Sequence, residues 1–479
     1  MPIVTSIATY RRLLDKLLSI EAKLSPRERS ALHALLPRDL LQPNATSLEF
    51  LFAAPHEILS SHELEIFLRL QESNDVDFAA SCALRPSMVV VMKATRLCNL
   101  RCTYCHSWKE GPNQVMGFEV LAKATRDALQ RPEVRRVNVV WHGGEVTLLP
   151  IVFFKKALWL QRMFKREGQV ITNSIQTNAT RLNDEWISFF VSTDFHVGVS
   201  IDGPPEIHDR RRKTVNGRPT WEQVRAGIAQ LQQANVSCGV LVVVDREIVQ
   251  LGADRLLDCL LELKVTGAGL LNVLPSNDEE QPTGNSYLPW SEYVMFLREM
   301  FRCWWPKHRH EIDIRDLSAL INNLSGRAPN LCLYAGDCMG EFLTIEPNGT
   351  VSACDKYIGD RQFEFGNLLV ADLNELLAAS KNLAHARAST VSEVSFMSDC
   401  KYHAVCRGGC PHDRRLNRIY QLGWDGHCCG LADLLDEITA ATHNEPVNER
   451  SKYGKREYAS RDSVDRRTNR KDQTNSHAR

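Results

Sequence analysis

The chain has 479 residues, with 58 Lys and Arg against 58 Asp and Glu, so its formal net charge is zero. Hydrophobic residues make up 43% and charged residues 24%, which indicates a globular protein and excludes collagen-like, coiled-coil and wholly disordered chains. A neutral chain offers no overall field for nucleic acid or anionic lipid, so neither is predicted as a partner. No apolar run is long enough to span a membrane and the first residues lack a signal peptide's apolar core, so a soluble, cytoplasmic protein is expected.

Residues 1–85 are predicted to form a helical N-terminal extension. Apolar residues recur at helical spacing in TYRRLLDKLLSIEAKL (9–24) and again in SSHELEIFLRLQ (60–71). No chemistry is visible in either segment. A plain helical extension and a docking or lid segment are both compatible with the pattern.

From residue 86 short apolar runs alternate with amphipathic helices, which indicates an α/β fold. Continuous Val, Ile and Leu runs of this kind are typical of parallel strands covered on both faces. Six such units predict a partial or complete (β/α)6 barrel, similar to a TIM barrel, over residues 86–325, with active-site groups at the carboxyl ends of the strands. The predicted strands are 87–94, 135–144, 169–178, 195–202, 236–245 and 267–274.

Residues 326–435 form a separate, cysteine-rich region. It begins with a predicted hairpin, FLTIEP and TVSACD joined by Asn348-Gly349, a pair that strongly favours a tight turn. The segment 444–479 has almost no aliphatic residues and many charges of both signs, so it is predicted to be disordered.

The chain contains 15 cysteines. In a long chain without a signal peptide, many cysteines point to metal ligation by thiolates, because the cytosol keeps thiols reduced. Four stand apart in apolar or helical surroundings and are predicted to be buried structural residues: Cys82, Cys238, Cys259 and Cys303. The other eleven fall into three groups.

The first group is Cys98-Asn-Leu-Arg-Cys102-Thr-Tyr-Cys105, directly after the first predicted strand. Three thiolates are one short of the four that an iron–sulfur cube or a structural zinc site requires. Such a site leaves one iron open to an exogenous ligand. A zinc site would need a fourth ligand nearby, and the adjacent His106 is placed awkwardly for it.

The spacing Cys-x3-Cys-x2-Cys, with Tyr104 before the last cysteine, resembles the radical S-adenosylmethionine (SAM) superfamily. The resemblance implies a [4Fe–4S] cluster held by Cys98, Cys102 and Cys105, whose open iron binds SAM, with Tyr104 in the cofactor site. One electron, from a donor such as flavodoxin or ferredoxin, would then cleave SAM to a 5′-deoxyadenosyl radical.

The second predicted strand ends in Gly143-Gly144-Glu145, which resembles the superfamily's element for the amino group of SAM. Two glycines would let the backbone approach the ligand closely, and the Glu145 carboxylate would complement an ammonium group. Seen alone, a Gly-Gly pair indicates only a turn. The polar run 176–178 (Gln-Thr-Asn) ends the third strand at the same rim and is predicted to line the pocket.

The fourth predicted strand leads into Ser200-Ile-Asp202-Gly203, followed by His208-Asp-Arg-Arg-Arg212. This pair of segments resembles the branch of the superfamily that carries a SPASM domain. The resemblance implies that Ser200 and Arg212 contact the ribose and carboxylate of SAM. The alternative is a charged surface loop.

The C-terminal cysteines resemble the SPASM domain, which holds two auxiliary [4Fe–4S] clusters. The resemblance assigns the first auxiliary cluster to Cys332, Cys338, Cys354 and Cys410. It assigns the second to Cys400, Cys406 and Cys428, with a further cysteine expected at position 397.

Position 397 departs from that pattern, because Met397 stands where a cysteine is expected. A thioether is a poor ligand for an iron–sulfur cube. Asp399, His403 or Cys429 would then supply the fourth ligand, or one iron is left open.

Asp355 follows Cys354 directly and is the predicted catalytic residue. The related sulfatase-maturing enzymes imply a base at this step, and a carboxylate beside a negative cluster should favour taking a proton. A surface Asp on the hairpin is the alternative. His106 and His142 flank the predicted radical site as possible polar groups of the pocket.

The resemblance therefore predicts a radical SAM/SPASM maturase that abstracts hydrogen from a side chain of a ribosomal precursor peptide or protein and cross-links it oxidatively, as in a macrocycle. Three clusters would give electrons a path in and out. Two alternatives differ in substrate: a sulfatase maturase that forms formylglycine, and a dehydrogenase of a small carbinol. An iron–sulfur electron carrier is the non-enzymatic alternative.

Overall fold

The structure, a computed structural model, describes residues 48–72, 87–105, 114–275, 287–421 and 424–442. The predicted helix at 9–24 and the predicted disordered segment 444–479 lie outside these ranges, as do Cys82 and His106.

Strands form one large sheet and one small ribbon. The strands are β1 (Ser87–Thr95), β2 (Leu100–Cys102), β3 (Arg136–Gly143), β4 (Val170–Thr177), β5 (His196–Ser200), β6 (Arg212–Thr214), β7 (Cys238–Val244), β8 (Gly267–Asn272), β9 (Asp313–Ile314), β10 (Phe342–Ile345), β11 (Thr350–Ser352) and β12 (Glu364–Asn367). In the described part of the chain the main sheet has the order β12-β11-β10-β1-β3-β4-β5-β7-β8-β9, and β2 pairs with β6 in the ribbon.

The six predicted barrel strands are confirmed as β1, β3, β4, β5, β7 and β8, which lie in chain order and pair in parallel. Their apolar residues are buried because helices pack outside the sheet. The sheet stays open in the described residues, since β9 and β12 are its two edges. The barrel is therefore partial.

Helices follow the strands at the predicted places. The longer α-helices are Ser61–Glu72, Phe118–Gln130, Ile151–Phe164, Asp184–Thr193, Trp221–Gln233, Ala253–Glu262, Trp290–His308, Arg315–Leu324, Lys381–Ser395, Pro411–Tyr420 and Ala432–Thr442. The shorter ones are Pro55–Ile58, Pro205–Arg211, Arg246–Leu251, Leu373–Ala379 and His403–Cys406. The alternative of a charged surface loop before Arg212 is wrong, because Pro205–Arg211 is a helix that buries His208 and Arg211.

The predicted hairpin is confirmed, and it joins the barrel sheet. β10 and β11 pair antiparallel, and Gly349 takes the left-handed conformation (φ +87°) that the turn requires. β10 also pairs in parallel with β1, with Val90 opposite Leu343. Hydrogen bonding therefore continues from the barrel into the cysteine-rich region across the predicted boundary at residue 325.

The segments at both ends of the described chain dock on helices of the barrel. Glu63 pairs with Lys156 at 2.6 Å, and the Phe67 ring lies 4.8 Å from that of Trp159. At the other end Arg298 and Arg302 both bind Glu437. None of the helices in the described ranges combines the length and apolar character that crossing a membrane would require.

The isolated cysteines are only partly as predicted. Cys259 is buried, whereas Cys238 and Cys303 are half-buried because they lie on the partly exposed faces of β7 and of helix Trp290–His308.

Candidate functional site

The three N-terminal cysteines lie in the segment that leaves β1. Cys102 ends β2 and stands opposite Arg212 in the register of the ribbon. The Leu100 N–H donates to Cys98 Sγ at 3.4 Å, and the Cys105 N–H donates to the Cys102 carbonyl at 3.2 Å. Burial above all, reinforced by the neighbouring thiols, raises the pKa of Cys98 to about 12. A thiolate at this position therefore requires a bound cation to offset burial.

Within the described ranges, no three His, Cys, Asp or Glu side chains are placed to ligate one metal ion together. Thiolates of an iron–sulfur cluster bind different irons and need not meet at a single point.

Gly143 and Gly144 are required by the chain's own backbone. A Cβ on Gly143 would lie 2.1 Å from the Thr95 carbonyl oxygen, and one on Gly144 would lie 2.0 Å from that of Leu97. Gly144 N–H and Glu145 N–H donate to those same oxygens at 2.6 and 2.7 Å. The glycines thus fasten the end of β3 to the segment that carries Cys98, a reason for their presence that the sequence did not show.

We expect Gly144→Ala to lower the free energy of unfolding by about 3 kcal/mol or more, because its Cβ would overlap backbone that cannot move aside cheaply. Gly117→Ala is the matched control, since a Cβ there meets no atom within 4 Å. Thermal unfolding of the two variants measures the difference, and equal midpoints would contradict the proposed clash.

Glu145 is a buried carboxylate that connects the ends of β3 and β4. Its Oε1 accepts from Thr147 N–H (3.0 Å), Thr147 Oγ1 (2.5 Å) and Thr177 Oγ1 (2.6 Å). Among the residues that the structure describes, its Oε2 accepts from Asn178 N–H alone, at 2.7 Å. Oε1 is therefore saturated, and the remaining capacity to receive an ammonium group lies on Oε2.

Ser200 lies at the end of β5, where its Oγ accepts from Gln176 Nε2 at 2.8 Å. Gln176 is half-buried, whereas Thr177 and Asn178 are buried and bound within the protein. Of the three residues 176–178 that were predicted to line the pocket, Gln176 is thus the one whose side chain is partly exposed and could contact a ligand.

Tyr104 and Arg212 meet at the buried Asp202. Tyr104 Oη donates to Asp202 Oδ2 at 2.6 Å, and Arg212 Nη1 donates to Tyr104 Oη. Burial would raise the pKa of Asp202, but Arg211 and Arg212 outweigh it and hold that pKa below its usual value. The ionised Asp202 fixes the two side chains beside Cys102.

Arg212 keeps a polar atom available for a ligand. Arg212 Nε is buried and has no hydrogen-bond partner among the described residues. A buried N–H without a partner is costly, and a carboxylate ligand would satisfy it. Arg212 therefore suits the contact with the SAM carboxylate that the resemblance implied, and Ser200 keeps a hydroxyl proton for a ribose.

The four cysteines assigned to the first auxiliary cluster come together in the fold. Each thiol of Cys332, Cys338, Cys354 and Cys410 lies within electrostatic range of at least one of the others, and burial raises the pKa of Cys338, Cys354 and Cys410. Lys356 Nζ lies 3.8 Å from Cys410 Sγ and 2.8 Å from the Asp413 carboxylate. A fixed cation thus supports negative charge on these sulfurs.

The cysteines of the second group also lie close together, and Cys429 lies beside them. Cys400, Cys406 and Cys428 are neighbours, and Cys429 Sγ lies 3.3 Å from Cys406 Sγ. Met397 is buried, and its Sδ lies 3.1 Å from where a Cβ would stand on Gly408.

Asp355 lies next to two groups that the barrel supplies. Lys93 Nζ donates to Asp355 Oδ2 at 3.3 Å and lies 3.0 Å from His142 Nδ1, which is 4.0 Å from the same carboxylate oxygen. Burial would raise the pKa of Asp355, but Lys93 and His142 lower it to about 2. The sequence predicted that the site favours proton uptake at Asp355. That prediction did not take Lys93 into account, and this lysine has the opposite effect because it lowers the pKa of Asp355.

Lys93 is the residue that the sequence analysis missed. Its side chain is only 2% exposed, although it is a charged residue near the end of β1, a mostly apolar strand. A single lysine inside the apolar run SMVVVMKA, five residues before Cys98, is the signal that could have revealed it.

Comparisons with known proteins agree with this geometry. A family model described as the radical SAM superfamily matches residues 92–250, and one described as an iron–sulfur cluster-binding domain, SPASM, matches residues 332–411. The chain is 30% identical to the serine-type anaerobic sulfatase-maturating enzyme of Bacteroides thetaiotaomicron, over 69% of this chain and 84% of that one. It is 29% identical to the cysteine-type enzyme of Clostridium perfringens, over 73% of this chain and 96% of that one.

A solved structure has the same fold. The structure described as native anSMEcpe with bound AdoMet and Cp18Cys peptide matches with a TM-score of 0.64 and 25% identity, over 77% of this chain and 99% of that one.

Proposed function

Because the chain belongs to the radical SAM superfamily and carries the SPASM iron–sulfur domain, we propose that it oxidises a cysteine or serine side chain of a protein to the aldehyde, formylglycine. The relatives at 29–30% identity are named as maturating enzymes of sulfatases. The observation that carries the proposal is the contact of Asp355, the residue directly after Cys354, with Lys93 and His142 of the barrel.

Residues already described would hold the cofactors. Cys98, Cys102 and Cys105 would hold the N-terminal cluster, while Arg212 Nε and Glu145 Oε2 would receive the carboxylate and amino group of SAM. When bound, this pair supplies a 5′-deoxyadenosyl radical by one-electron cleavage of SAM.

The oxidation removes two electrons and two protons from the β-carbon of the substrate and its heteroatom. One hydrogen atom leaves the carbon and becomes part of 5′-deoxyadenosine. The remaining proton and electron need separate acceptors. Asp355 would take the proton, and a cluster held by Cys332, Cys338, Cys354 and Cys410 would supply the acceptor for the electron. A serine then gives the aldehyde directly, and a cysteine gives a thioaldehyde that water converts to the aldehyde and hydrogen sulfide.

Lys93 and His142 position the Asp355 carboxylate for this role. Lys93 is fixed by burial and points one amino group at both partners. Burial and the nearby Lys93 lower the pKa of His142 to about 4, so this imidazole is neutral at pH 7. The carboxylate is consequently ionised, and its low pKa restricts it to accepting a proton from a strongly acidic group, such as the O–H or S–H of the substrate once its radical is oxidised.

The other functions predicted from the sequence differ in support. Oxidative cross-linking shares the first hydrogen abstraction, but the named relatives favour the aldehyde reaction that the sequence left as an alternative. The names of these relatives do not favour a small carbinol as substrate. The relatives are enzymes, so an electron carrier is not supported.

We expect the anaerobically reconstituted protein, given SAM and dithionite, to form 5′-deoxyadenosine and to convert a peptide spanning the maturation site of a sulfatase into its aldehyde. Mass spectrometry with hydrazine trapping of the aldehyde measures the product, and one nucleoside should form per aldehyde. The same peptide with alanine at the target position is the control. Nucleoside formation with a cross-linked product and no trappable aldehyde would contradict the proposal in favour of cross-linking.

A further inference from the structure

The second auxiliary group lacks one cysteine of the SPASM pattern, because Met397 stands at its place. Met397 is buried against the loop that carries Gly408, and a thioether ligates an iron–sulfur cube poorly. The sequence left four possibilities for the missing ligand: Asp399, His403, Cys429 or none.

The thiols in this region form one connected group of four. Cys429 Sγ lies 3.3 Å from Cys406 Sγ, so both sulfurs face the same space. Cys429 also has a hydrogen-bond contact with the thiol of Cys428, and Cys428 has one with Cys400. Each sulfur is thus adjacent to at least one other, and Cys429 stands at the buried end of the group.

The backbone explains how two consecutive cysteines reach the same group. In an extended strand successive side chains point to opposite faces. Here the chain turns directly after Cys429, since Gly430 has φ +88° and its N–H donates to Cys428 Sγ at 3.3 Å. The Cys429 carbonyl accepts from Trp290 Nε1 at 2.7 Å, which fixes the turn against helix Trp290–His308.

The two rival side chains fit less well. Asp399 is exposed, so its carboxylate faces solvent. His403 is half-buried, and its Nε2 has no hydrogen-bond partner among the described residues, which makes it the serious competitor. Neither has a contact with Cys406 or Cys428 of the kind that Cys429 makes, and thiolates are the usual protein ligands of such clusters.

We infer that Cys429 is the fourth protein ligand of the second auxiliary [4Fe–4S] cluster and takes the place of the cysteine missing at position 397. The inference rests on the proposed function only in assuming that the SPASM region holds clusters. A closed four-thiolate site leaves no iron open, so this cluster would transfer electrons and would bind no substrate.

The test measures cluster binding without turnover. In a Cys98→Ala, Cys102→Ala, Cys105→Ala background the auxiliary clusters remain, and iron content and the EPR spectrum of the dithionite-reduced protein report on them. Adding Cys429→Ala should lose about four irons per chain, or keep them with an EPR signal that changes when 2-mercaptoethanol is added to the opened iron. Cys429→Ser, which keeps the side-chain volume, should alter the signal in the same direction.

Two controls separate the outcomes. His403→Ala and Cys303→Ala should each keep the iron content and the spectrum of the background protein, Cys303 lying half-buried on helix Trp290–His308. An unchanged iron content and spectrum in both Cys429 variants, with no response to thiol, would overturn the inference, and so would loss of iron in His403→Ala. Because no step requires SAM, failure of the proposed aldehyde reaction would leave these results interpretable.

Discussion

Replacing Cys102 by alanine should reduce 5′-deoxyadenosine formation to the background of the uncatalysed reaction. Cys102 is one of three thiols available to the N-terminal cluster, and two thiolates cannot hold the cluster with one iron open. The free energy of unfolding should fall by only about 1 kcal/mol, because the change removes one buried sulfur atom. Anaerobic chromatography measures the nucleoside, iron quantification measures the loss of the N-terminal cluster, and thermal unfolding measures the change in stability.

Cys406→Ala is the informative comparison for this variant. Cys406 is a buried cysteine as well, but it lies in the second auxiliary group, next to Cys429. It should keep the ability to cleave SAM in the presence of dithionite while losing iron from the C-terminal region. Turnover that persists in Cys102→Ala would disprove the assignment of the N-terminal thiols.

The variant Asp355→Asn should separate cofactor cleavage from substrate oxidation. Asparagine keeps the shape of the side chain but cannot accept the proton, so the aldehyde product should fall about 100- to 10,000-fold, the usual range for loss of a general base. SAM cleavage should continue, because Asp355 has no contact with Cys98, Cys102 or Cys105. The ratio of nucleoside to aldehyde, one in the parent, should rise accordingly.

Asp399→Asn provides the matched control, because Asp399 is also adjacent in sequence to a cluster cysteine but is exposed. Its nucleoside-to-aldehyde ratio should stay at one. If Asp355→Asn behaves in the same way, Asp355 takes no proton from the substrate. If Asp355→Asn instead loses nucleoside and aldehyde equally, its role is in cofactor binding.

The local parts of the site could be predicted because each is encoded within a few residues. The three N-terminal cysteines span eight positions, and the strand before them is a continuous apolar run, so the element and its motif are both visible in one short segment. The same holds for the Asn348-Gly349 hairpin. The predicted strands agree with the structure for this reason.

Contacts between distant segments could not be predicted in the same way. The sequence explained Gly143 and Gly144 by approach to a ligand, whereas the structure places them against the carbonyls of Thr95 and Leu97. The acid–base prediction for Asp355 considered its cysteine neighbour in the chain and not the lysine that reaches it from β1.

By itself the sequence determined the α/β barrel and the three cysteine groups, because strand periodicity and ligand spacing are properties of short stretches of chain. The cofactors followed from the resemblance to the radical SAM superfamily. The tertiary structure alone decided which groups meet. Lys93 and Asp355 are 262 positions apart, and Cys429 reaches Cys406 across 23. These residues meet only when β10 pairs with β1 and the turn at Gly430 packs on Trp290. A local sequence pattern cannot predict such contacts, because they depend on how the whole chain packs.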